Sequence, residues 1–112
     1  MSYYLTTGDY FCGPSNYTAS EDKLSERKVE KKSVKWARDH GWFSRKYSSP
    51  GQMGVQDRIF VKDCRVVFIE YKRVGNEPTD LQCDDAHQLY NAGGEVFWTN
   101  TIAGTQWILG SM

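Results

Sequence analysis

GVQDRIFVKDCRVVFIEYK, residues 54–72, is the stretch on which the fold turns. Two β-rich runs, 58–61 and 65–71, are separated by the short polar interruption Lys62-Asp63-Cys64, which reads as a tight hairpin. Successive strand side chains alternate in direction, so Val67, Ile69 and Tyr71 share one face while Val66, Phe68, Glu70 and Lys72 share the other. That second row begins apolar and ends in a carboxylate beside an ammonium. Charges near a core cost desolvation unless they are partnered, so packing alone gives no reason for such an ending. Asp57, opening the partner run, is expected across the hairpin from Glu70. Two carboxylates and a lysine meeting at one end of a twisted hairpin suit a hard divalent cation and an activated water.

Working outward, 42–47 reads as a strand, and Ser48-Ser49-Pro50-Gly51 as a turn or loop. Ser49, Gly51 and Gly54 belong to a loop whose backbone N–H groups can approach a phosphate, with Arg45 and Lys46 supplying charge at its root. Before it, a helix is expected from an N-cap at Ser20, with Glu21 and Asp22 at the positive end of the dipole and Gly41 as the stop. Leu24, Val29, Val34, Trp36 and Ala37 form its narrow apolar stripe. Glu26 and Glu30, four apart, share a face, and Glu30 is on the side that meets a sheet.

Downstream, Thr79-Asp80-Leu81-Gln82 has the form of a capping box, with Gln82 reaching back to the cap. The same amide is a candidate for the active site. The helix carries Leu81, Ala86, Leu89 and Tyr90 inward and ends at Gly93-Gly94. The following strand, EVFWT at 95–99, is expected parallel to its predecessor because a helix intervenes; 101–109 is short and ambiguous, with one helical segment bearing Trp107 and Ile108 as a reading. Residues 1–20, rich in Tyr, Gly, Ser and Thr, read as an irregular arm, and 21–112 as one domain. The class is α/β, a mixed sheet flanked by helices.

Composition narrows the rest. A chain of 112 residues with 14 basic and 14 acidic residues has no bulk charge to draw it to nucleic acid. Locally, however, Lys and Arg occur nine times from Lys23 to Lys46, and the later part from Glu77 to Glu95 is acidic. Cys12, Cys64 and Cys83 are odd in number and widely spaced, which speaks against a disulfide framework or structural zinc site and for reduced thiols. No run has the length of a membrane span or the order of a signal peptide, so no membrane partner and a cytoplasmic location are expected.

Asp57, twelve intervening residues and then Glu70-Tyr71-Lys72 resemble the D...(D/E)xK core of the restriction-endonuclease-like, or PD-(D/E)xK, nucleases. The fuller pattern, SSPGQMGVQDRIF at 48–60, VVFIEYK at 66–72 and then Leu81-Gln82, is similar to the VRR-NUC branch, whose small stand-alone members occur in phages and bacteria. The likeness spans residues 24–99. Two positions depart from it: Gln56 stands where the family usually has Pro, and Cys64 where Gly is common in the hairpin.

The resemblance implies an αβββαβ core and a metal-dependent endonuclease acting on branched DNA with Mg²⁺ or Mn²⁺. Relatives include Holliday-junction resolvases, so a four-way junction cut by a homodimer is the leading expectation. A flap or other structure-specific nuclease, or a non-catalytic DNA-binding module, are the alternatives; a small-ligand α/β domain is a further one. By the same resemblance Asp57, Glu70 and the main-chain carbonyl of Tyr71 are metal ligands, Lys72 serves the attacking water, and Glu30 is the helical acid, with Glu26 as fallback. Gln82 is the second-helix glutamine. Arg45, Lys46 and Arg58 are phosphate contacts, with Arg73 a weaker one.

Overall fold

The computed structural model describes residues 25–48, 51, 58–73 and 75–110. Its first element, α1 (Glu26–Asp39), starts where Ser25 leaves helical geometry at φ −71° and ψ 157° and its hydroxyl accepts from the Lys28 N–H at 3.2 Å. The cap is therefore Ser25 rather than Ser20. Both serines precede a glutamate, so the local cap chemistry is the same, and the later one defines the helix. Residues 20–24 lie outside the described residues, as does the arm expected over 1–20.

At its other end α1 closes on Gly41, whose φ of +89° only glycine adopts without strain. The Gly41 N–H reaches the Arg38 carbonyl and the Trp42 N–H reaches that of Ala37, a Schellman closure that satisfies helix-end carbonyls. It turns the chain into β1 (Phe43–Lys46), within the expected strand.

Strands β2 (Arg58–Lys62) and β3 (Arg65–Tyr71) form the expected hairpin. Its two turn residues, Asp63 and Cys64, both have positive φ, 48° and 65°. This is the turn geometry that matches strand twist, and Cys64 adopts it where glycine would do so without strain. The sheet order is β1-β2-β3-β4, antiparallel between the first three strands and parallel between β3 and β4 (Glu95–Thr99). The register pairs Lys46 with Arg58, Arg58 with Ile69, and Glu70 with Trp98. The ends of β1, β3 and β4 and the start of β2 thus meet at one end of the sheet.

The crossover helix α2 (Asp80–Asn91) begins in a complete capping box between Thr79 and Gln82. It ends in a second Schellman closure: Gly93 N–H to the Tyr90 carbonyl and Gly94 N–H to that of Leu89. Leu81, expected inward, is 48% exposed. It stands off the stripe made by Cys83, Ala86, Leu89 and Tyr90, which packs with Val96, Phe68 and Trp98 on one face of the sheet. The main core lies on the other face, where α1 and α3 (Ile102–Gly110) cover Phe60, Val67, Ile69, Tyr71 and Phe97. Trp98 is accordingly a packing residue, while Trp107 is 37% exposed. Among the described residues no helix is long and apolar enough to cross a membrane.

Candidate active site

Alternation along β3 sends Glu70 to the α2 side of the sheet, where it is 2% exposed. A carboxylate so deeply buried is stable only with partners. Its Oε2 accepts from Gln82 Nε2 at 2.8 Å and lies 3.7 Å from the Lys72 ammonium. Its Oε1 is buried and, among the described residues, receives no hydrogen bond. Lys72 is held in turn by its main chain, whose N–H continues the sheet to the Thr99 carbonyl at 3.1 Å.

Gln82 closes the expected capping box and also reaches Glu70. Its Oε1 accepts from the Thr79 N–H at 2.9 Å, closing the capping box, and its Nε2 is thereby aimed at Glu70. An amide is the one side chain of that length that does both, since it carries an acceptor and donors on one plane.

Glu30 reaches the same end of the sheet from the opposite face. Its Oε2 accepts from Arg58 Nε at 2.8 Å, and Lys46 Nζ lies 3.8 Å away. Glu30 is buried, whereas Glu26 is exposed in the first turn of α1, so of the two helical acids only Glu30 meets the sheet. Arg45 is exposed, stacks its guanidinium 4.4 Å over the Phe43 ring and donates to the Ser44 carbonyl at 3.1 Å. Gly51 is an exposed turn residue with φ +79°, and Arg73 is exposed with its carbonyl accepting from the Asn76 N–H. Asp57, Ser49 and Gly54 lie outside the described residues. Among the described residues no three His, Cys, Asp or Glu side chains gather closely enough to hold a metal ion.

A buried hydroxyl chain that sequence reasoning missed lies on the α1 and α3 side of the sheet. The Tyr71 hydroxyl shares a 2.9 Å hydrogen bond with Thr105 Oγ1, whose own proton goes to Ser33 Oγ, also at 2.9 Å. Burial pushes the Tyr71 phenol well above its ordinary value, the Thr105 and Ser33 hydrogen bonds oppose this, and the nearby Glu30 charge adds to it. Tyr71 is the residue between Glu70 and Lys72, so this chain anchors the backbone on which both stand. Its members are contributed by α1, β3 and α3, and no short-range pattern announces them.

A groove of about 600 Å³ opens beside Glu30, lined by α1 and by Lys46 and Arg58 of the first two strands. The i, i+4 spacing of Arg27, Lys31 and Lys35 was the available signal for it.

No family model matches the chain. Over 74 residues it is 32% identical to "Putative nuclease p44" of Acyrthosiphon pisum secondary endosymbiont phage 1, a match that covers 65% of this chain and 80% of that protein. A solved structure described as a VRR_NUC domain superposes with a TM-score of 0.71, covering 79% of this chain and 98% of that chain at 19% identity, so the two share a fold.

Proposed function

Because this chain belongs to the small phage-type VRR-NUC nucleases, we propose that it is a metal-dependent endonuclease hydrolysing phosphodiester bonds in branched DNA, with the four-way junction as substrate and a homodimer as the acting form. The observation that carries the reading is Glu70: a carboxylate 2% exposed at a strand end, with an amide donor and an ammonium on one oxygen. A purely structural strand has no use for that arrangement.

The donor chemistry fits a hard cation. Glu70 Oε1 is the carboxylate oxygen turned away from Gln82 and Lys72, and oxygen donors are what Mg²⁺ and Mn²⁺ take. Glu70, the Tyr71 carbonyl and Asp57, which directly precedes Arg58, would hold it. A divalent cation supplies positive charge against the non-bridging phosphate oxygens and lowers the proton affinity of the attacking water.

The remaining work belongs to the chain. Lys72 holds the attacking water in line and offsets charge that builds on the phosphate. Gln82 fixes the rotamer of Glu70 through its hydrogen bond. Glu30, already paired with Arg58, orients that guanidinium toward the strand being cut, and Lys46, Arg45, Arg73 and the loop holding Ser49 and Gly51 contact flanking phosphates. Resolving a junction takes two symmetric cuts, which two copies related by a two-fold axis provide.

The test is cleavage of a labelled four-way junction, a flap, a linear duplex and a single strand with Mg²⁺, Mn²⁺ or chelator. Paired junction cuts requiring metal are expected, with Glu70→Gln and Lys72→Ala each lowering the rate by about 10²-fold or more. Binding without cleavage in every metal would make the chain a DNA-binding module. A protein monomeric at micromolar concentration that cuts only flaps would remove the junction version.

A further inference from the structure

We propose that the groove along α1 is a sequence-independent docking track for the phosphodiester backbone of a duplex arm, leading to the end of the sheet that holds Glu70. Six cationic side chains line it against two carboxylates. Both acids are already engaged: Glu30 by Arg58 at 2.8 Å, and Asp39 by Lys35 at 2.9 Å. Arg27 and Lys31 make no ion pair among the described residues, and both are exposed.

The spacing suits a linear polyanion. Arg27, Lys31 and Lys35 are four residues apart, so their stems line one face of α1 at intervals of about 6 Å. Arg38 extends the row and is held by a hydrogen bond from its Nη2 to the Ser44 carbonyl. At the sheet side the row meets Arg58, which pairs in register with Ile69, the residue before Glu70. Among the described residues, none that lines the groove is aromatic. A single strand is gripped largely through base stacking on aromatic platforms, whereas a duplex keeps its bases stacked inside and is held without sequence preference through its phosphates, so the described lining of cations suits double-stranded DNA.

The inference rests on the proposed nuclease reading for its choice of DNA, and the experiment separates the two. Binding of a labelled unbranched duplex, and of one of its single strands, is followed by fluorescence anisotropy over a range of salt in Glu70→Gln protein without divalent metal. A groove variant, Arg27→Gln with Lys31→Gln, is compared with Lys28→Gln plus Lys32→Gln, the same charge change on exposed α1 residues outside the groove. Glutamine keeps helix propensity, and circular dichroism checks the fold.

The groove variant is expected to bind duplex about tenfold more weakly, with the slope of log affinity against log salt reduced by about 2, while the control pair changes far less. Equal losses in both pairs, an unchanged slope in the groove variant, or tighter binding of the single strand than of the duplex would overturn the track. Cleavage by otherwise wild-type protein is scored separately. Its absence in every metal, alongside a weakened groove variant, leaves the track standing and removes the nuclease reading.

Discussion

Gln82 shows how one side chain couples folding to chemistry. Its carbonyl closes the α2 cap at Thr79 and its amide holds Glu70. Gln82→Ala loses both, and urea denaturation is expected to report about 2 kcal/mol lower stability. Gln82→Glu keeps an acceptor for the cap but sets a second carboxylate against Glu70. The metal concentration for half-maximal cleavage is expected to change about tenfold, while the α2 amides near Thr79 stay protected from hydrogen exchange. Tyr71 gives a second prediction at this scale. Its folded phenol is raised above the unfolded value of about 10, so its share of stability is complete below that pH and is lost as pH rises beyond it. The denaturation midpoint is expected to fall between about pH 9 and pH 11, and to fall less in Tyr71→Phe. Glu70, Lys72 and Gln82 were legible in the sequence because alternation and a capping motif are local. The partners of Tyr71 were not, since Thr105 lies 34 residues after it in sequence and Ser33 lies 72 residues before Thr105.

Elements were readable wherever a turn or cap names its own residues. The hairpin and the capping box follow from such signals, and so does the Gly41 stop. The start of α1 was misplaced because Ser20 and Ser25 offer the same local signal, a serine directly before an acid. Helix α3 was ambiguous because IAGTQWILG is apolar on nearly every side, a pattern without a face. Its docking depends instead on close approach. A Cβ at Gly104 would overlap Thr99 Oγ1 and come 2.9 Å from Thr99 Cβ. Alanine is the better helix former by about 1 kcal/mol, yet overpacking costs about 1–3 kcal/mol. Gly104→Ala is therefore expected to lower the melting temperature. At the far end of α3, Arg65 forks onto Glu95 and donates to the Ile108 and Leu109 carbonyls, at 2.9 and 3.2 Å. Arg65→Ala leaves a half-buried carboxylate and helix-end carbonyls without that donor, and about 3 kcal/mol of destabilisation is expected in the same denaturation assay.

At the scale of the molecule, equal numbers of acidic and basic residues conceal a separation of charge. Helix α1, over one face of the sheet, carries six Lys and Arg against Glu26, Glu30 and Asp39, while α2 on the other face carries Asp80, Asp84 and Asp85 and no Lys or Arg. Composition alone does not show this, because the sum is taken over both faces. It became visible once the topology placed the two helices on opposite sides. Among the described residues the two helices thus carry net charge of opposite sign on opposite faces, while the whole chain sums to zero. In free electrophoresis near pH 7 it should hardly migrate, yet a sulfonate-bearing resin should retain it by one side, and an amine-bearing resin by the other.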